Sequence, residues 1–116
     1  MTVLDEREKA VEQAFVHEQE IRFLMLSHRN KLFGRWAADL LHYREKTAEH
    51  YVQSVIDMTG KPPHGPLTPD DALVSRVTND FQNAGMTMMP DEVRGALTRF
   101  EEQSQAAFGT TPGKSG

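Results

Sequence analysis

Ile21-Arg22-Phe23-Leu24-Met25-Leu26-Ser27-His28-Arg29-Asn30-Lys31-Leu32-Phe33-Gly34-Arg35-Trp36-Ala37-Ala38-Asp39-Leu40 is the stretch that decides the fold of this 116-residue chain. Placed at about 100° per residue, Ile21, Met25, Leu32, Phe33, Trp36 and Leu40 fall within one stripe. The stripe continues upstream through Val3, Leu4, Val11, Ala14 and Phe15. One long helix is therefore predicted from the N-terminus to about His42. Gly34 lowers its propensity without forbidding it. Within it, Phe23-Leu24-Met25-Leu26 points all round the axis, more than one packing surface can bury. Cover on two sides is predicted there, by other helices or by a second copy of the chain.

Working outward, Thr47–Thr59 carries Tyr51, Val52, Val55 and Ile56 at helical spacing, with Gly60 as its stop. Gly60-Lys61-Pro62-Pro63-His64-Gly65-Pro66 breaks the pattern and reads as a loop. Thr68-Pro69-Asp70-Asp71 offers an N-cap threonine, a first-turn proline and acids that suit the helix dipole. The helix it opens presents Leu73, Val74, Val77, Phe81 and Ala84, and Gly85 closes it. Pro90-Asp91-Glu92 opens a last helix with Val93, Ala96, Leu97, Phe100, Ala107 and Phe108 on one face. Residues 86–89 are too few for a partnered strand, so no sheet is predicted. The tail 109–116, Gly-Thr-Thr-Pro-Gly-Lys-Ser-Gly, has nothing apolar to bury and reads as disordered. Amphipathic helices on short loops can bury their faces only against one another. The expected fold is all-α: a four-helix bundle with a long N-terminal helix, one domain over residues 1–108.

Composition narrows the function. Thirteen Lys and Arg against seventeen Asp and Glu give a net charge of −4, with no basic run. That disfavours a phosphate-neutralising surface for nucleic acid and a polybasic membrane helix. The absence of cysteine excludes disulfides and thiolate metal sites. A mean hydropathy of −0.57 and the lack of any long apolar run argue against membrane insertion and a signal peptide, so a cytoplasmic location is expected.

Catalytic and metal-binding patterns are weak. The histidines at 17, 28, 42, 50 and 64 include no i, i+3 or i, i+4 pair, and Glu-x-x-His is absent. The adjacent acids Asp70/Asp71, Asp91/Glu92 and Glu101/Glu102 point about 100° apart on a helix, so neither pair member faces the other's substrate. The first two pairs sit in opening turns, where acids act as capping groups. No nucleotide-binding or nucleophile-elbow motif occurs. The reading is no enzyme, no metal and no cofactor.

One anomaly lies on the first helix. Its apolar stripe is interrupted on the same face by Arg7, Glu18, Arg22 and Arg29, with Glu18 and Arg22 in the favourable i, i+4 order. Two readings stand side by side. The helix end fades from core into solvent, or an amphipathic arm from Thr2 to about Phe15 extends past the bundle and docks on a partner.

Leu4-Asp5-Glu6-Arg7-Glu8-Lys9-Ala10, Phe15-Val16-His17-Glu18-Gln19-Glu20 and Arg29-Asn30-Lys31-Leu32-Phe33-Gly34-Arg35-Trp36-Ala37-Ala38 closely resemble the ATPase inhibitor ζ subunit of α-proteobacterial F-type ATP synthases. The last stretch is the most specific, fixing Arg29, Asn30, Gly34 and Trp36 at set spacings. Weaker matches follow at Tyr51-Val52, Val55-Ile56, Asn83-Ala84-Gly85 and Glu92-Val93-Arg94, so the resemblance covers about residues 4–105.

The resemblance implies a small four-helix protein that binds the catalytic head of the synthase through its α and β subunits, with γ as a further contact. It implies that ATP hydrolysis is blocked when an N-terminal helix inserts at a catalytic subunit interface. Carried onto this chain, the inhibitory arm is residues 1–16, and the partner-binding residues are Val3, Leu4, Asp5, Arg7, Glu8, Val11, Ala14, Phe15, Glu18 and Arg22. Two stretches depart from the family pattern. Leu24-Met25-Leu26-Ser27-His28 replaces a polar segment, and Thr59 to Pro66 is a longer connection than the usual acidic one. The alternative they raise is a diverged helical adaptor without inhibitory activity.

Overall fold

The computed structural model describes residues 3–63 and 65–109, with side chains from residue 17 onward. Its elements run α1 (Val3–Leu40), α2 (Glu45–Ile56), α3 (Pro69–Asn83) and α4 (Pro90–Ala107), and no strand occurs among the described residues. α1 packs on α2 and α4, and α3 packs on α4. The tail expected to be disordered lies outside the described residues apart from Gly109.

Local chemistry sets the helix ends. Thr68 caps α3, its Oγ1 accepting from the Asp71 amide at 3.1 Å, with Pro69 in the first turn. Gly85 closes α3 at φ +83°, with its amide on the Gln82 carbonyl and the Met86 amide on Phe81. That is the paired bonding of a left-handed helix stop. α1 ends by the same device, but with a histidine. His42 adopts φ +62°, and the amides of His42 and Tyr43 bond to the carbonyls of Asp39 and Ala38. α1 accordingly stops at Leu40, two residues short of its expected end.

α2 also shifts from the expected Thr47–Thr59. It starts at Glu45, because the Arg44 carbonyl already accepts from Thr47 and Ala48. It ends at Ile56, where the Met58 and Thr59 amides bond three residues back and tighten the chain into a turn that finishes at Gly60, φ +74°.

The core is built from Phe33, Ala37 and Leu41 of the first helix and its end, Val55, then Leu73, Val74, Val77, Phe81, Val93, Ala96 and Leu97. Three positions expected on the buried faces lie outside the core. Ala107 and Phe108 are exposed, because the buried face of α4 continues from Val93, Ala96, Leu97 and Phe100 to Ser104 and goes no further. Ala84 is likewise exposed, as the C-cap of α3. A polar lattice ties α2 to α3. Tyr51 donates to Asp80 at 2.7 Å, and Arg76 donates to the Ser54 hydroxyl at 2.6 Å while its guanidinium lies over the Tyr51 ring. Burial, and after it the bond to Asp80, pushes the Tyr51 phenol well above its ordinary range.

Candidate functional site

In the most specific motif, Arg29, Asn30 and Gly34 are buried in the bundle and Trp36 is half-buried, while Lys31 and Arg35 face solvent. Arg29 is only 3% exposed. Its Nη1 reaches Glu101 Oε1 of α4 at 2.7 Å and Asp70 Oδ1 of α3 at 3.1 Å. Its Nε donates to the Asn30 side-chain carbonyl at 3.0 Å. Asn30 in turn donates to Thr59 Oγ1 at 3.0 Å, and Thr59 donates to the Ile56 carbonyl at 2.6 Å. One chain of polar contacts thus fastens α1 to the C-terminal turn of α2, to the start of α3 and to α4. A buried guanidinium demands such partners, since an unpaired one would be costly.

Gly34 and Trp36 complete the motif. A Cβ on Gly34 would sit 3.2 Å from Val52 Cα and 3.2 Å from Val55 Cβ, so only glycine lets α1 and α2 approach this closely. Trp36 stacks on Phe33 with centroids 5.7 Å apart and meets Phe81 and Phe100 edge-on at 5.5 and 6.4 Å. Arg29, Asn30, Gly34 and Trp36 are bracing residues of the bundle.

This resolves the anomaly on α1 in two ways. Arg29 interrupts the stripe as a buried ion-pair centre. Glu18 and Arg22 interrupt it because the bundle no longer covers α1 there, and both are exposed. Val3, Leu4, Asp5, Arg7, Glu8, Val11, Ala14 and Phe15, expected to form the arm's contact surface, have side chains outside the described residues. Sequence reasoning missed the second role of the acids. Asp70 and Glu101 hold Arg29, and Asp71 holds Arg94 of α4. The hydrogen bond from Arg94 keeps the Asp71 carboxyl below the usual carboxylate range.

The expectation for Phe23-Leu24-Met25-Leu26 fails in part. Met25 is buried and Leu26 half-buried, but Phe23 is 51% and Leu24 52% exposed. The bundle's other helices reach only one side of α1 at this level. Phe23 rests one edge on the α2–α3 connection, its Cε2 3.1 Å from where a Cβ on Gly60 would stand. His28, one turn further down, has its Nδ1 2.9 Å from the buried Ser104 hydroxyl and meets Phe108 edge-on.

Among the described residues no group of three His, Asp or Glu could hold a metal ion. No helix among them is long and apolar enough to cross a membrane. What the residues define is a small all-α bundle, braced by buried polar contacts around its first helix, on which Phe23 and Leu24 are the large exposed apolar side chains among the described residues. The chain belongs to the ATPase inhibitor subunit zeta family, whose model matches residues 1–107. No curated protein and no solved structure shows a significant match to it.

Proposed function

We propose that this protein inhibits ATP hydrolysis by the F-type ATP synthase, inserting its N-terminal helix at a catalytic interface between α and β subunits of the head, with γ as a further contact. The observation that carries the reading is the family match over residues 1–107, which takes in the arm and the whole bundle together. Two features of the chain support it. Cover on α1 fades from Met25 toward His17, as a helix leaving its bundle requires. The apolar set Val3, Leu4, Val11, Ala14 and Phe15 continues the stripe beyond that point, with Arg7, Glu18 and Arg22 interrupting it on the same face and Asp5 and Glu8 beside it.

The mechanism is steric. A helix wedged between subunits that must open and close raises the barrier to turnover without touching ATP, so the protein itself needs no catalytic group and no cofactor. Ordering the arm on binding offsets part of the interaction energy. The protein acts on the cytoplasmic side, held near the inner membrane only through its partner. The test is a photo-crosslinker placed at Leu4 or Phe15 and mixed with the purified head under hydrolysing conditions. Adducts with α or β, accompanied by loss of hydrolysis, support the reading. Undiminished hydrolysis with no adduct to either subunit would leave the adaptor alternative in its place.

A further inference from the structure

The bundle's cover on α1 has a sharp upper edge. His17, Glu18, Gln19 and Glu20 are all exposed, Ile21 is half-buried, and Met25 is 3% exposed. Four successive exposed residues make more than one full turn, so α1 stands clear of the other described elements on every side there. Between Ile21 and Met25 the bundle therefore forms a shoulder around the helix. Phe23 and Leu24 stand at that shoulder, about half exposed, with Gln19 and Glu20 alongside.

We propose that Phe23 and Leu24 form a second docking element: an apolar collar that seats on the head's surface at the rim of the cleft receiving the arm. The inference rests on the function proposed above. Its occupant follows from geometry. A helix entering a cleft can advance only until the shoulder of its own bundle meets the rim. At 1.5 Å per residue, Leu24 lies about 13 Å along the axis from Phe15. Whenever the arm is fully inserted, the collar is at the mouth. Two large apolar side chains half in water gain from being covered, and the flanking Glu18, Glu20 and Arg22 supply the polar border of a protein interface. The complementary surface is an apolar recess with a mixed-charge edge. Contact at the rim holds the inserted arm in place and slows its release.

The test titrates hydrolysis by the purified head with the wild-type chain and with Leu24→Lys, Leu24→Gln and Leu24→Met. The lysine and glutamine variants should need about tenfold more protein for half-inhibition. They should still inhibit fully at saturation, dissociate faster, and melt within about 2 °C of wild type. Leu24→Met should match wild type. The double change Leu4→Asp, Phe15→Asp should remove inhibition at every concentration, which separates the collar from the arm. Equal half-inhibition by Leu24→Lys, Leu24→Gln and wild type would overturn the collar while leaving the arm intact. A wild-type dimer in sedimentation that Leu24→Lys dissolves would overturn it too, since a second copy would then cover the patch. No inhibition by wild type would refute the proposed function first, and the collar's partner with it.

Discussion

Two glycines in helix interiors should respond oppositely to the same substitution. Gly→Ala in an exposed helix stabilises by about 0.8–1 kcal/mol, because alanine loses less backbone entropy on folding. Gly95 of α4 is exposed, and a Cβ there would meet nothing within 4 Å. Gly95→Ala should therefore deliver the full gain, about 3–5 °C in Tm for a domain of this size. Gly34 is buried, and its added Cβ would stand 3.2 Å from Val52 Cα and Val55 Cβ. Ordinary carbon contacts lie near 3.5–4.0 Å, so α2 must retreat by a few tenths of an ångström. One contact is backbone and the other a β-branched stem, so the retreat moves the whole helix. Overpacking of this kind costs roughly 1–3 kcal/mol. Set against the propensity gain, Gly34→Ala should lose up to about 2 kcal/mol. Urea unfolding followed by circular dichroism measures both variants, with an unchanged m-value assuring the comparison. A gain at Gly34 equal to that at Gly95 would refute the close α1–α2 packing, and with it the bracing role given to this motif.

His42→Gly should stabilise by about 0.5–1 kcal/mol in the same assay, because His42 holds φ +62° where a side chain is strained. Glu101→Gln should destabilise by roughly 1–2 kcal/mol: Arg29 stays buried with one carboxylate fewer, and the partial exposure of Glu101 limits the loss. Tyr51 has a raised folded pKa, so its contribution is complete below the phenol's ordinary value near 10 and is lost as pH rises beyond it. Tm should therefore fall less steeply above that pH in Tyr51→Phe than in wild type. Asp71 is the opposite case, depressed by Arg94, so its contribution is present above the usual carboxylate range and lost as pH falls below it. Arg94→Gln should flatten that acid limb of the Tm profile.

The sequence read well wherever local rules decide structure. The Thr68 cap, the Gly85 stop and the spacing of Val93, Ala96 and Leu97 each follow from side chains within one or two turns. It read poorly wherever a partner distant in sequence decides. Arg29 looked like a break in an apolar stripe, because Glu101, its nearest partner, lies 72 residues away. Asp70 looked like a dipole-complementing acid and no more, since nothing local reveals the guanidinium above it. Cover over Phe23 and Leu24 is expected from sequence because the run Phe23–Leu26 points all round the helix, more than one packing surface can bury. Where the bundle ends along α1 is a property of the other three helices. The ends of α2 differ by a few residues from the periodicity because the Arg44 carbonyl already accepts helical bonds at the start, while i→i+3 bonds from Met58 and Thr59 replace helix at the end. The arm's chemistry was legible only as an unsatisfied stripe and a family resemblance.

Whether the N-terminal stripe of α1 blocks hydrolysis is decided by a single comparison. ATP hydrolysis by the isolated head is measured with the wild-type chain and with Leu4→Asp, Phe15→Asp, alongside the Tm of each. Two carboxylates forced into a desolvated cleft cost roughly several kcal/mol, enough to abolish binding. Strong inhibition by wild type, none by the double variant, and melting temperatures within a few degrees of each other are expected. Equal inhibition by both proteins would contradict a blocking role for the stripe.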